Sequence, residues 1–140
     1  MYYNIVSGHY LPTILIVQEN QTKLASDSAI LSEFNQVNIP VVDAMTIVVW
    51  VQRHQPELVI FDINYSQIVN LGLISALRLD WLTRKIPILV ISNVPKKEMQ
   101  SRASVDCDAY LRKPYVTREL EQAICSLVPT PACKSYVTII

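Results

Sequence analysis

The sequence predicts an α/β fold: a flavodoxin-like, doubly wound, five-stranded parallel sheet of order 2-1-3-4-5, with helices on both faces. Three observations carry this. Short apolar segments rich in branched side chains recur five times in 140 residues, stretches long enough for helices separate them, and prolines stand at or just before three of them. Continuous apolar runs of this length suit strands buried on both faces. Strand and helix alternating along the chain argues for a parallel sheet with right-handed crossovers.

The predicted strands are Thr13 to Val17, Ile39 to Val42, Leu58 to Phe61, Ile86 to Ile91 and Ala109 to Leu111. Helices are predicted near residues 21–36, 44–53, 71–83, 96–104 and 116–127. Leu24, Ile30, Leu31 and Phe34 mark a buried stripe on the first, and Leu120, Ala123, Ile124 and Leu127 mark one on the last. Pro40, Pro56 and Pro87 sit where a helix cannot comfortably continue. Thr117 is placed to cap the final helix.

A hydrophobic content of 51% over this length supports one core and one domain, assigned to residues 12–128. Residues 1–11 read as an N-terminal extension and 129–140, opened by Pro129-Thr130-Pro131, as a C-terminal tail. Neither an internal repeat nor a low-complexity tract interrupts the pattern. Nothing after residue 128 is long enough for a DNA-binding or catalytic output domain.

Composition narrows the function. The longest apolar runs, such as Ile47-Val48-Val49-Trp50-Val51, fall far short of the roughly 20 residues that cross a bilayer, and the first eight residues lack a basic leader. A cytoplasmic location follows as the expectation. Cys107, Cys125 and Cys133 are odd in number and lack paired metal-ligand spacing, which suits buried or free thiols in a reducing compartment. With only His9 and His54 besides, zinc is not expected. Net charge is zero, yet the basic residues concentrate after residue 70, spread over Arg84-Lys85, Lys96-Lys97 and Arg112-Lys113. Spread of this kind suits solvated faces better than a nucleic-acid surface, and leaves room for a protein partner with an acidic patch.

In an open parallel sheet the ligand site forms outside the carboxyl ends of the strands. There the sequence offers Gln18 and Glu19 after strand one, Asp62 after strand three, Ser92 after strand four and Lys113 after strand five. Taken singly, each is an ordinary turn former or helix cap. Together they bring two carboxylates, a hydroxyl and an ammonium to one edge. Carboxylates so placed repel unless a cation separates them, and either a hard divalent metal or Lys113 could serve. The chain has two glycines, Gly8 and Gly72, so neither a Walker loop nor a dinucleotide fingerprint exists. Negative charge at Glu19 disfavours a flavin phosphate.

Across residues 12–128 these segments resemble response-regulator receiver domains of two-component signalling. Ile14-Leu15-Ile16-Val17-Gln18-Glu19 is similar to the family's first strand and acidic pair, and Pro56-Glu57-Leu58-Val59-Ile60-Phe61-Asp62 to the strand ending in the phosphoacceptor. Ile88-Leu89-Val90-Ile91-Ser92 resembles the strand ending in the switch hydroxyl, and Asp108-Ala109-Tyr110-Leu111-Arg112-Lys113-Pro114 the lysine-proline segment. The separations, 30 residues from Asp62 to Ser92 and 21 from Ser92 to Lys113, fit the family.

The resemblance implies a phosphoacceptor signalling domain and not an enzyme in the ordinary sense, with self-phosphorylation and autodephosphorylation open to it. Asp62 would take a phosphoryl group from a histidine kinase, a phosphotransfer protein or a small acyl phosphate. Mg²⁺ would be held by Glu19, Asp62 and the backbone carbonyl of Asn64, with Gln18 contributing through water. Lys113 would pair with Asp62 and then with a phosphoryl oxygen. Ser92 would donate to another, and its shift would let Tyr110 turn inward, remodelling the face of the fourth helix, fifth strand and fifth helix. The resemblance also leaves open a homodimer through that face. The Lys113–Pro114 bond would be cis.

Departures from the pattern open a second reading. Gln18 replaces an acid and should weaken metal binding, Glu19 is a methylene longer than the usual aspartate, Ser66 and Asn70 stand at proline and glycine positions, and Asn93 is bulkier than usual. A pseudo-receiver, binding proteins without using phosphate, is the alternative to the phosphorylation switch. An unrelated flavodoxin-like enzyme lacks a visible constellation, since His54 falls in a loop at the far end of the strands.

Overall fold

A computed structural model of the chain describes residues 4–6, 9–19, 24, 28–95, 97–98, 107–131 and 133. Two short strands precede the first predicted one: β1 (Asn4–Val6) and β2 (His9–Leu11) pair antiparallel within residues expected to be an extension. The five core strands follow as β3 (Thr13–Gln18), β4 (Asn35–Pro40), β5 (Leu58–Asp62), β6 (Ile88–Ser92) and β7 (Ala109–Arg112). They form one parallel sheet ordered β4-β3-β5-β6-β7, which is the predicted 2-1-3-4-5 with β3 as the first.

The pleat sends alternate side chains to opposite faces, and both faces are covered. Ile14, Ile16, Leu58, Ile60, Leu89 and Ile91 pack on one side, against Leu120 and Ile124 of the last helix. Leu15, Val17, Val59, Phe61, Ile88 and Val90 pack on the other, against Ile47, Val51, Ile74 and Leu77. This two-sided burial is why the central strands read as continuous apolar runs rather than as alternation.

The helices are α1 (Ala44–His54), α2 (Tyr65–Asn70), α3 (Leu73–Leu79) and α4 (Thr117–Leu127). Several boundaries differ from expectation. β4 begins at Asn35, inside the stretch assigned to the first helix, and among its described neighbours only a 3-10 turn, Leu31–Glu33, appears. As an edge strand, β4 needs apolar side chains on one face alone, so Val37 and Ile39 are its only inward signals and Pro40 is tolerated at its end. The predicted stripe of Leu24, Ile30, Leu31 and Phe34 is nonetheless buried in the core. Most of residues 20–27 lies outside the described residues, as does the predicted helix at 96–104 apart from 97–98, which are helical.

Of the helix expected over 71–83, α3 covers Leu73–Leu79, and α2, Tyr65–Asn70, is a separate short helix before it that was not expected. Gly72, at φ 60, takes a left-handed conformation that few other residues accept and separates them. α3 then stops at Asp80, whose carbonyl accepts from the amides of Thr83 and Arg84. At α4, Val116 rather than Thr117 is the capping position, and Glu119 reaches back to accept from the Val116 amide at 3.0 Å. A buried carboxylate on the same helix, Glu121, accepts from the Ser28 hydroxyl at 2.6 Å and the Ile30 amide at 3.2 Å, fastening residues 28–30 onto α4.

Of the three cysteines expected as buried or free thiols, Cys107 is the one outside a disulfide. Cys125 of α4 and Cys133 are joined in a disulfide, their Cα atoms 5.6 Å apart, and Cys133, expected in a tail outside the core, is buried within it. Nothing in the spacing of three cysteines indicates which two will be neighbours. Among the described residues no helix is long and apolar enough to cross a membrane.

Candidate functional site at the carboxyl edge of the sheet

Strand register sets the site. Gln18 ends β3 directly opposite Asp62 at the end of β5, and Ser92 ends β6 opposite Arg112 of β7. One residue beyond β7, Lys113 donates its amide to the Ser92 carbonyl at 2.8 Å, which holds the start of the following loop against β6. From there its side chain crosses to Asp62, with Nζ 2.5 Å from Oδ1. The Lys113–Pro114 peptide is cis, as the resemblance implied.

The pair is asymmetric in exposure. The Asp62 side chain is 9% exposed and that of Lys113 43%. A carboxylate this buried is poorly solvated, and Lys113 is the cation placed to compensate its charge. Tyr115 reports the same charge: burial first, and the negative charge of Asp62 second, hold its phenol above the usual value near 10. Tyr115 was not among the residues singled out from the sequence. Its one signal was its position just after Lys113-Pro114.

Ser92 is 2% exposed, and its hydroxyl oxygen accepts from the Val94 amide at 3.2 Å, which leaves the hydroxyl proton for another acceptor. The Tyr110 hydroxyl donates to the Val94 carbonyl and lies 3.4 Å from the Ser92 carbonyl. Its ring packs among the apolar side chains of the second face. Serine, the loop after β6 and tyrosine thus form one linked unit beside the ion pair.

A divalent cation finds a poorer set of donors. Gln18 is neutral and buried, and Glu19 is exposed. The Asn64 carbonyl, expected as a ligand, instead accepts from the amides of Gln67 at 3.0 Å and Ile68 at 3.3 Å. Asn64 is the N-cap of α2, and its side-chain oxygen accepts from Ser66 N at 2.9 Å, so both of its oxygens face the helix. Among the described residues no three His, Cys, Asp or Glu side chains gather to hold a metal. As arranged, these residues do not fit Mg²⁺.

His54 is remote from this edge. It is the last residue of α1 rather than a loop residue, and its ring stacks on Trp50 with centroids 5.2 Å apart. Burial, and secondarily the charge of Arg53, push its pKa down.

No family model and no curated protein matches the sequence. Solved structures do match the fold. A response regulator from Desulfuromonas acetoxidans superposes with a TM-score of 0.64 at 22% identity, covering 83% of this chain and 95% of that one. The receiver domain of a sensor histidine kinase from Pseudomonas aeruginosa, with a magnesium ion coordinated in its active-site cleft, gives 0.63 at 18% identity over 86% and 99%. Vibrio cholerae chemotaxis protein CheY4 gives 0.64 at 17% over 84% and 99%. At these identities the likeness establishes the receiver-type fold.

Proposed function

We propose that this receiver-fold chain is a phosphorylation switch with Asp62 as its phosphoacceptor. The observation that carries the reading is the Lys113 ammonium 2.5 Å from a carboxylate that is 9% exposed, at the sheet edge where this fold places its ligands. A carboxylate oxygen of Asp62 would attack the phosphorus of a phosphohistidine or small acyl phosphate. The phosphorus–oxygen or phosphorus–nitrogen bond to the donor would break, and the donor would leave with that electron pair. The ammonium would move from the carboxylate to a phosphoryl oxygen and keep its charge compensated. The Ser92 proton is available to another phosphoryl oxygen. Drawing Ser92 toward the phosphoryl group would pull on Val94, and through Val94 on the Tyr110 hydroxyl, so the ring beside β7 would move. A histidine kinase or phosphotransfer protein is the donor this chemistry calls for. The readout would be a protein partner, or a second copy, at the surface beside β7 and α4.

A specific observation favours a second reading, a protein-binding module that does not use phosphate. Gln18 and the helix-bound Asn64 carbonyl leave a divalent cation badly served, and none of the steps above is routed through one. The two readings separate by intact mass after incubation with acetyl phosphate, with and without Mg²⁺, beside an Asp62→Asn control. A single phosphoryl adduct absent from the control supports the switch, and its dependence on Mg²⁺ reads the metal site directly. A folded sample that gains no adduct from acetyl phosphate or from a phosphorylated phosphotransfer protein sinks the switch and leaves the binding module.

A further inference from the structure

At the opposite, amino-terminal end of the sheet, the turn between α3 and β6 presents Leu79 at 86% exposure, Trp81 at 75% and Leu82 at 44%. A tryptophan this exposed on a loose loop would need no explanation. This loop is fastened from three directions. The Asp80 carboxylate accepts from the Leu82 amide at 3.1 Å and from Gln52 of α1 at 2.8 Å. Thr83 is buried and donates to the Leu77 carbonyl at 2.7 Å. The Arg78 guanidinium donates to the carbonyls of Arg84 and Ile86, each at 2.9 Å. A rigid turn holding large apolar groups in water loses little side-chain and loop freedom when something covers it.

The turn also carries two cations at its end. Arg84 and Lys85 are exposed, and among the described residues neither is in an ion pair. Asp80, the acid nearest in sequence, is engaged as above, and Asp108 is paired with Arg78 at 2.7 Å. A second copy related by a twofold axis would set Arg84 and Lys85 against their own images. A bilayer is served poorly by three apolar side chains and two cations, since stable anchoring takes a full acyl chain plus a larger basic cluster.

We propose that the Leu79–Lys85 turn is a docking site for a partner protein segment that is apolar and acidic, with Trp81 as the anchor and Arg84 and Lys85 pairing with its carboxylates. Large aromatic anchors ringed by arginine are the side chains on which binding energy concentrates. This surface lies at the other end of the strands from Asp62, so a partner could occupy it whatever the state of the phosphoacceptor.

The test pans a random peptide library against the full chain, counter-selected on Trp81→Ala, with circular dichroism confirming that each variant is folded. Selected peptides should be enriched in aspartate or glutamate together with large apolar residues. They should bind Trp81→Ala and the double variant Arg84→Glu/Lys85→Glu about tenfold or more weakly than the parent. Peptides that bind Trp81→Ala as well as the parent, peptides with no acidic enrichment, or a selection in which nothing prefers the parent would each overturn the proposal. So would Trp81-dependent co-sedimentation with phosphatidylserine vesicles, which assigns the turn to a membrane, or self-association abolished by Trp81→Ala, which assigns it to a second copy.

Discussion

Two carboxylate–cation pairs sit at opposite ends of the same parallel sheet, and they are held in different ways. At the amino end Asp108 accepts from Arg78 and from the Ile88 amide, each at 2.7 Å, while the same guanidinium holds two backbone carbonyls. Every contact there fastens chain to chain. At the carboxyl end Asp62 is more deeply buried and is held by a single flexible ammonium that is itself nearly half exposed. The first pair is fixed by the number of its bonds, and the second by charge. A group compensated by one movable cation can exchange that cation's attention for a new ligand, and a saturated one cannot. The carboxylate with fewer bonds is therefore the one better able to exchange its partner.

That contrast breaks first at Arg78. Arg78→Ala removes the pair with Asp108 and two bonds to backbone carbonyls, one of them part-buried, and should cost about 2–3 kcal/mol in a urea unfolding experiment. A loss no larger than that of an ordinary surface arginine would show that the turn at 80–86 is held without it. At the other end, Lys113→Met should cost less, roughly 1–2 kcal/mol, because the ammonium is partly in water although the carboxylate is not. The double variant Lys113→Met/Asp62→Asn should recover most of the loss, since the uncompensated charge is then gone. If the two substitutions merely add, the pair does not couple and the carboxyl-end site is not organised by charge.

The same contrast explains what could be read from the sequence. Strand ends are marked by where apolar runs stop, so Gln18, Asp62, Ser92 and Lys113 are legible as a set in the sequence, and the parallel order places them on one edge. The central strands were legible because burial on both faces leaves an unbroken apolar run. Edge strand β4 was not, since its alternation of Asn35, Gln36, Val37, Asn38, Ile39 and Pro40 resembles a loop or a polar helix face. Helix α2 was missed, and Gly72, read as lying inside the following helix because a single glycine is tolerated in a helical pattern, instead stands between the two. Hydrogen-bond direction was hidden altogether. Whether the Asn64 carbonyl faces a metal or the amides of its own helix depends on where α2 begins, and helix boundaries are the least legible feature of a sequence. The neighbourhood of Tyr115, and the pairing of Cys125 with Cys133, likewise depend on tertiary placement.

The metal donors offer a sharper test of the carboxyl end. If Gln18 and the capping role of Asn64 deprive a divalent cation of its ligands, thermal unfolding of the parent should not respond to millimolar Mg²⁺. Gln18→Asp, which puts an acid directly beside Asp62 in the strand register, should lower stability without metal, through like-charge repulsion. It should regain about 1.4 kcal/mol when Mg²⁺ reaches ten times its dissociation constant. A parent already stabilised by Mg²⁺ would mean that Glu19 and Asp62 suffice, and that the first turn of α2 releases the Asn64 carbonyl on binding.

The smallest effect tests the charge itself. Tyr115 titrates high chiefly because it is buried and secondarily because Asp62 is negative. Its folded-state pKa lies above the unfolded value, so its contribution to stability is complete below about pH 10 and is lost as pH rises through the folded value. Asp62→Asn should therefore bring the Tyr115 pKa part of the way down, the share due to burial remaining, and make the alkaline loss of stability smaller, with its onset unchanged. Lys113→Met should do the reverse, because the carboxylate field at the phenol would no longer be offset by the ammonium. Ultraviolet titration of the phenolate, assigned to Tyr115 by comparison with Tyr115→Phe, reads both shifts. Opposite signs would establish that Lys113 compensates the Asp62 charge across the site. Equal, unshifted titrations would mean that the phenol senses burial alone, and the ion pair would then have to be argued from its geometry without this electrostatic support.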